Sequence, residues 1–461
     1  MQIMNSDNQN KQPFYFKWAN TPFAPAKCPF FYGWVIVAVS TMSIIFSTPG
    51  QTAGIGIFTD YIIAVLDISR NQLSLAYMIG TVTSGLILPF AGKILDRIGV
   101  RFMSVFASVG LGVSLLVFAN VGNVNTYLSA RFKVGWLAMV IVSFAFFLMR
   151  FFGQGNMTMV GRVAMGRWFN NWRGMATAMA GVPIAFCFNA APWLLNKLIG
   201  SFGWQGACYI MAALVGVVMT VVGLLLFRET PEECGLVMDG VAGGSLQGKK
   251  RKHLHTVHRQ FTRRQALCTV SFWAYVLGLA AHGMIVTAIS FHITSIGLEM
   301  GKTREEAVLM FFYSSFVSIP ARFVISFIVD YTRFRLRYVL MMLAVTIACY
   351  SVGIAWFNTT AGWIVTTVGF GLSGGVWGVL SNVTFPRYFG RKHLGAISGV
   401  NMSVLVIASA IGPAYFSYGE MLLGSYRNAA FSTLALPVII FILALFTRNP
   451  QEMICADKDQ L

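Results

Sequence analysis

Apolar stretches of roughly 20 residues, the length a helix needs to cross a bilayer core, recur twelve times along this 461-residue chain. They run over about 31–57, 73–94, 101–120, 136–164, 175–197, 206–227, 270–295, 307–329, 338–357, 363–385, 395–416 and 428–447. Each stretch is continuous, whereas a membrane barrel shows weak alternation in segments of about ten residues. Helices are then the spanning structure that satisfies every backbone group. A mean hydropathy of +0.67, with 56% hydrophobic and 11% charged residues, exceeds what a water-soluble core of this size would need. The expected fold class is an all-α membrane protein.

The formal charge of +18 would suit a nucleic-acid partner, but its placement follows topology. With the N-terminus inside, 25 of the 34 Lys and Arg fall in inward segments or at the inner ends of runs, and Arg150 and Arg322 are the two counted at mid-span. That is the positive-inside pattern. It implies membrane lipid rather than nucleic acid, with both termini cytoplasmic in a cell membrane, the inner membrane in a bacterium. The segment before residue 30, broken by Pro13, Pro22, Pro25 and Pro29, has no short apolar core with a small-residue cleavage site, so no signal peptide is expected. Seven scattered cysteines show no paired spacing and read as reduced fillers, neither disulfides nor metal ligands.

The chain repeats itself. Arg167-Trp168-Phe169 returns as Arg387-Tyr388-Phe389, and Pro192 returns as Pro413. A second correspondence sets Gly92, Asp96 and Arg101 against Ser326, Asp330 and Arg335. Two matches at similar offsets predict two pseudo-symmetric six-helix bundles related by an axis along the membrane normal. The boundaries are a tail over 1–29, a first bundle over 30–228, a linker over 229–268, a second bundle over 269–448 and a tail over 449–461. The linker carries Gly243-Gly244 and the basic run Lys249-Lys250-Arg251-Lys252-His253, read as a solvated inward loop.

Gly92-Lys93-Ile94-Leu95-Asp96-Arg97-Ile98-Gly99-Val100-Arg101 resembles the loop between spans 2 and 3 of the major facilitator superfamily. The resemblance implies a conformational latch: Asp96, at an inner helix end among Arg97 and Arg101, pairs or caps when the inner side is closed and releases when the halves rock. In the second copy Ser326 and Tyr331 replace the glycine and the Arg97 equivalent, so Asp330 is expected to form a worn latch. Phe31-Tyr32-Gly33-Trp34, Trp168-Phe169 with Arg173-Gly174, Phe202-Gly203-Trp204, Gly412-Pro413, Gly424-Ser425-Tyr426-Arg427 and Pro231-Glu232-Glu233-Cys234-Gly235-Leu236 add a resemblance to the monocarboxylate transporter and oxalate:formate antiporter branch.

Arg322 lies eight residues before Asp330, roughly 12 Å of helix rise from the inner end. An arginine at that depth is costly unless a cavity or partner receives it. The resemblance makes it the residue that binds a substrate carboxylate, and a guanidinium fork suits a carboxylate bidentately. The plainer reading ties it to carbonyls of a neighbouring helix. Arg150, in Arg150-Phe151-Phe152-Gly153-Gln154-Gly155, is either a second anion-binding group or a structural or gating arginine. No Asp or Glu lies at mid-depth in any run, so an anion finds counter-charges there and a cation does not. Pro49 with Gly50, Gly54 and Gly56 interrupts the first run, and Gln51 and Thr52 read as cavity donors. His282 and His292 are the histidines within apolar stretches and the candidates for carrying a proton.

The chain departs from the branch in three places. Ser318 stands where the eukaryotic pattern has an aspartate, the first run lacks a lysine, and the run from Gly395 to Phe416 has no basic residue. These departures weigh against eukaryotic-type proton coupling and against dicarboxylate binding. Gly369-Phe370-Gly371-Leu372-Ser373-Gly374 matches a dinucleotide fingerprint in letters, but no strand precedes it and no acidic residue follows about 20 positions on. No zinc spacing, nucleotide-binding loop or nucleophile elbow is present, so no cofactor, metal or enzymatic activity is expected. The expected function is secondary active transport of a small organic anion, a monocarboxylate by the resemblance, by proton symport or anion exchange, in a monomer. The alternatives are a carrier of a drug or siderophore, with structural arginines, and a transporter-like sensor that binds without moving its ligand.

Overall fold

Helix formation follows the apolar runs closely. The computed structural model describes residue 18 and residues 20–132, 136–240, 257–332 and 334–452; the basic run 249–253, Gly243-Gly244 and most of both expected tails lie outside the described residues. Among the described residues there is no strand. The principal helices are α1 (Gly33–Phe46), α2 (Arg70–Ile98), α3 (Val100–Ala119) and α4 (Leu137–Trp168). The stretch Arg173–Ala213 turns at Gly203, whose φ of 71° only glycine adopts without strain. That turn separates α5 (173–202) from α6 (204–226). Then come α7 (Val270–Glu299), α8 (Arg304–Tyr331), α9 (Leu336–Ala355), α10 (Thr360–Phe389), α11 (Leu394–Leu423) and α12 (Ala435–Phe446).

Among the described residues ten helices are long and apolar enough to cross a membrane, and Gly33–Phe46 and Arg173–Phe188 are shorter apolar helices. Their outer faces carry exposed large side chains such as Leu86, Phe90, Phe312, Phe316, Leu422 and Phe446. So much uncovered apolar surface is unlike a soluble monomer, where patches rarely exceed a few hundred Å². Polar turns delimit the ends: Ser69, Thr262 and Thr303 each form a reciprocal capping box at a helix start.

Contacts between first-half and second-half helices concentrate in two pairs, α2 on α11 and α5 on α8. Small residues bring these backbones together. A Cβ on Gly92 would strike the Gly395 carbonyl and come within 3.0 Å of the Gly399 Cα. The glycine run of α10 has the same role, since a Cβ on Gly371 would meet the Ser314 carbonyl of α8 at 2.5 Å. Its fingerprint letters serve helix packing.

Candidate functional site

The first helix breaks where Pro49 cannot donate a backbone hydrogen bond. Helix α1 ends at Phe46, Thr48–Gly50 makes one tight turn, and helical structure resumes over Thr52–Gly56. Opposite this break, residues Arg150–Met157 of α4 adopt the wider π-type ladder, which often marks a functional segment. The two irregular segments nest: a Cβ on Gly50 would lie 2.8 Å from the Gly153 Cα.

Arg150 holds this junction. It is fully buried; its Nη1 donates to the Gly50 carbonyl and to Thr52 Oγ1, both at 3.2 Å, and its Nη2 donates to Ser409 Oγ on α11 at 3.1 Å. The guanidinium carbon also sits 5.3 Å from the Tyr77 ring centroid. The carbonyl freed by the break is thus satisfied by a charge, and that charge is bound to protein.

Beside the junction lies a cavity of about 400 Å³, within the range of small-molecule sites. Gln51, His282 and Arg322 line it; Arg150, Thr52 and His292 do not. Thr52 is engaged by Arg150 and by the Tyr77 hydroxyl at 2.9 Å. His292 is held between the Pro413 carbonyl at 2.9 Å and the Tyr426 hydroxyl at 3.3 Å, near the start of the last helical segment.

Two glycines seat Arg322. A Cβ on Gly181 of α5 would land on its Nη1, and one on Gly378 of α10 would lie 2.7 Å from Nε and Nη2. Its Nη2 donates to the Gly374 carbonyl at 3.3 Å, while Nε is buried without a partner among the described residues. Gln154 Oε1, His282 Nδ1 and Asn382 Oδ1, from residues on the same wall, are likewise buried and unpartnered among the described residues. Buried polar atoms are normally bonded, so this wall is built for a polar occupant or ordered water. No Asp or Glu is among the lining residues.

The wall also contains groups the sequence did not single out: Arg162, Trp377, Gln154 and Asn382. Arg162 corrects the expectation that Arg150 and Arg322 are the two cations to weigh within the runs. Arg162 falls near the inner end of the run 136–164, where it was counted with the inward charges, and α4 continues past it to Trp168. The face Gln154, Thr158, Arg162 and Met165 has helical spacing and was readable in the run 136–164, which holds all but the last of them.

At the helix ends that carry the two aspartates, the contacts differ from the expectation. Asp96 accepts backbone hydrogen bonds from Gly395 at 2.8 Å and Ala396 at 2.7 Å, at the start of α11, and pairs with Arg167 at 2.7 Å. Arg97 is exposed, and Arg101 donates to the carbonyls of Leu224 and Trp18. Neither is the partner of Asp96. Gly99, with φ 88°, donates its N–H to the Leu95 carbonyl at 2.9 Å and turns the chain into α3. Asp330 is not worn: it accepts from Gly174 at 3.0 Å and Met175 at 2.8 Å, at the start of α5, and pairs with Arg387 at 3.5 Å. Each aspartate caps a helix of the other half, using the positive end of the helix dipole. The partners Arg167 and Arg387 are the repeat pair already visible in the sequence.

The linker reinforces this end. Asp239 accepts from the backbone N–H groups of Asn170 at 3.0 Å and Asn171 at 2.9 Å, ahead of α5. Glu229 pairs with Arg167, and Glu232 pairs with Arg391 of the other half at 2.9 Å. Burial pushes the neighbouring Glu233 carboxyl from 4.5 up to about 7, against the lowering pull of Arg167 and Thr230, with Glu232 raising it further. A carboxyl that holds its proton when folded stabilises below its unfolded pKa and loses that contribution as pH rises through the folded value. The melting temperature of the purified protein should therefore fall between about pH 4.5 and 7 by more than that of Glu233→Gln, which has no proton to release. Parallel curves for the two proteins would refute the assignment.

Comparison with known proteins agrees with this architecture. The model of the Major Facilitator Superfamily matches residues 30–413. Among solved structures, a bacterial homologue of the iron transporter ferroportin, outward-facing with soaked iron, superposes with a TM-score of 0.64 at 16% identity, covering 89% of this chain and 98% of that one. The human organic anion transporter MFSD10 (TETRAN) gives 0.61 at 15%, covering 91% and 100%. A variant of the E. coli fucose:proton symporter, FucP, gives 0.59 at 14%, covering 89% and 98%. At these identities the likeness is one of fold. Among curated proteins none matches the chain by sequence.

Proposed function

The chain belongs to the Major Facilitator Superfamily, and we propose that it is a secondary transporter that moves a small organic anion by alternating access around the cavity at Arg322. With ten long apolar helices it is a multi-pass membrane protein and a transporter rather than an enzyme. In this reading twelve helices cross the cell membrane in two six-helix bundles, 30–228 and 269–448, with both termini cytoplasmic and the monomer as the working unit. The observation that carries the substrate class is a cavity whose wall bears arginine and no carboxylate. A buried guanidinium without a counter-charge favours an anionic occupant. A metal cation or polyamine would meet only repulsion. The organic anions named for the human structural neighbour agree with this reading.

Gln51 and His282 complete the polar part of the pocket, and Arg150 with Thr52 maintains the break beside it. The latches at Asp96 and Asp330 close one end; their release opens it. Coupling is by anion exchange or by proton symport, with His282 the titratable group at the cavity. Uptake and counterflow of labelled organic acids in proteoliposomes, at two pH values, test the reading. Counterflow by an anion, and none by uncharged sugars, is the expected result. Counterflow that follows a sugar or a cation instead, or a bound anion that never crosses, would overturn it.

A further inference from the structure

Every buried arginine outside the cavity bonds to protein oxygen. Arg150 has three such contacts, Arg101 and Arg173 each donate to two carbonyls, Arg228 to three, and Arg167 and Arg387 each have a carboxylate. Arg162, on the cavity wall, has no such contact among the described residues. Its one hydrogen bond among them is a long contact from Nη1 to Met402 Sδ at 3.9 Å, and its guanidinium lies 4.8 Å from the centroid of the Trp377 ring. A guanidinium offers five N–H donors, and a thioether is a weak acceptor. The indole face orients the fork without occupying its edge. Arg162 belongs to the first half, while Met402 and Trp377 belong to the second.

Resting on the anion reading of the cavity, we propose that Arg162 is a second anion-binding residue, and that the transported anion is a dicarboxylate with one acidic group taken by Arg162 and the other by Arg322. Two guanidinium groups line one cavity of about 400 Å³ with no acidic side chain on its wall. A monoanion would leave one buried charge uncompensated, which is strongly unfavourable, whereas a dianion balances both. The wall also carries apolar side chains, among them Ile184, Phe188, Val286 and Leu405. This suits a short hydrocarbon body between the acidic groups. Because Arg162 is on α4 and Arg322 on α8, such a ligand would tie one half to the other and favour the occluded state when loaded. The missing basic residue of the eleventh run, which weighed against dicarboxylates in the sequence, is replaced by one from the fourth.

Thermal stabilisation of the purified full-length protein by succinate, glutarate and adipate, with butyrate and valerate as one-headed controls, tests this. The wild type should bind the dicarboxylates about 10- to 100-fold more tightly than their controls, the worth of one charge-assisted pair. Arg162→Gln should reduce dicarboxylates to the level of the controls, and Arg162→Lys, which keeps the charge and loses the fork, should fall between. A wild type that prefers the monocarboxylates, or an Arg162→Gln variant that retains the dicarboxylate preference, overturns the proposal. Should Arg162→Gln fail to fold, the wild-type series and Arg162→Lys still decide. Arg322→Gln separates the two readings. If it loses both series while Arg162→Gln changes nothing, the anion site stands and the second anchor falls; if the wild type binds neither series, both fall.

Discussion

An Arg322→Ala variant is expected to fold and to lose anion binding by about 100-fold or more. Arg322 makes one bond to protein, at 3.3 Å to the Gly374 carbonyl, and leaves Nε unpartnered among the described residues. Removing it therefore breaks little, and relieving an uncompensated buried charge is neutral or stabilising for the empty protein. The ligand loses a bidentate pair, two charge-assisted bonds of roughly 1.5–3 kcal/mol each, or about 3–6 kcal/mol together. Arg322→Lys should keep part of the affinity, since an ammonium cannot reproduce the fork. Counterflow and ligand-induced thermal shift read both variants. Undiminished transport by Arg322→Ala would make this arginine structural and remove the basis of the anion assignment.

Neutralising the latches should have the next largest effect. Asp96→Asn loses the charge that pairs with Arg167 and weakens two backbone hydrogen bonds of 2.8 and 2.7 Å. A loss of about 2–4 kcal/mol in the closed arrangement shifts the population by roughly 30- to 1,000-fold away from it. Asp330→Asn should shift it in the same direction, less strongly, because its pair with Arg387 is longer at 3.5 Å. The sites cap different helices, so the double variant should be nearly additive. Distances between spin labels on the two halves at this end would report the opening. An unchanged distance distribution in Asp330→Asn would restore the asymmetry that the loop sequences suggest.

That asymmetry shows where sequence reasoning stopped short. It weighed Gly92, Arg97 and Arg101 as neighbours of Asp96 along the chain, but the bonds that matter come from α11, about 300 residues away, and from Arg167. A cap requires only a carboxylate and a free helix start, so Ser326 and Tyr331 cost Asp330 nothing. Laying the Arg167 and Arg387 repeat over the two aspartates would have found both partners. The cavity divides similarly. Gln51, His282 and Arg322 were legible because polar groups in apolar runs need an explanation, while Arg162, near the inner end of the run 136–164, was counted with the inward charges and so passed over.

The sequence by itself determined which segments become helices, that the first must break at Pro49, and that Asp96 and Arg167 recur as Asp330 and Arg387, because these depend on local hydrophobicity, proline chemistry and self-similarity. Only the tertiary structure decided which buried arginine is free. Arg150 and Arg162 lie on one helix, twelve residues apart, and either could have faced the cavity. The direction of a side chain depends on the rotation of its helix, which the π-type segment Arg150–Met157 alters and which packing against Gly50, Trp377 and Met402 sets. Arg150 consequently meets the carbonyl of a broken helix, and Arg162 meets an indole face, a sulfur and open space.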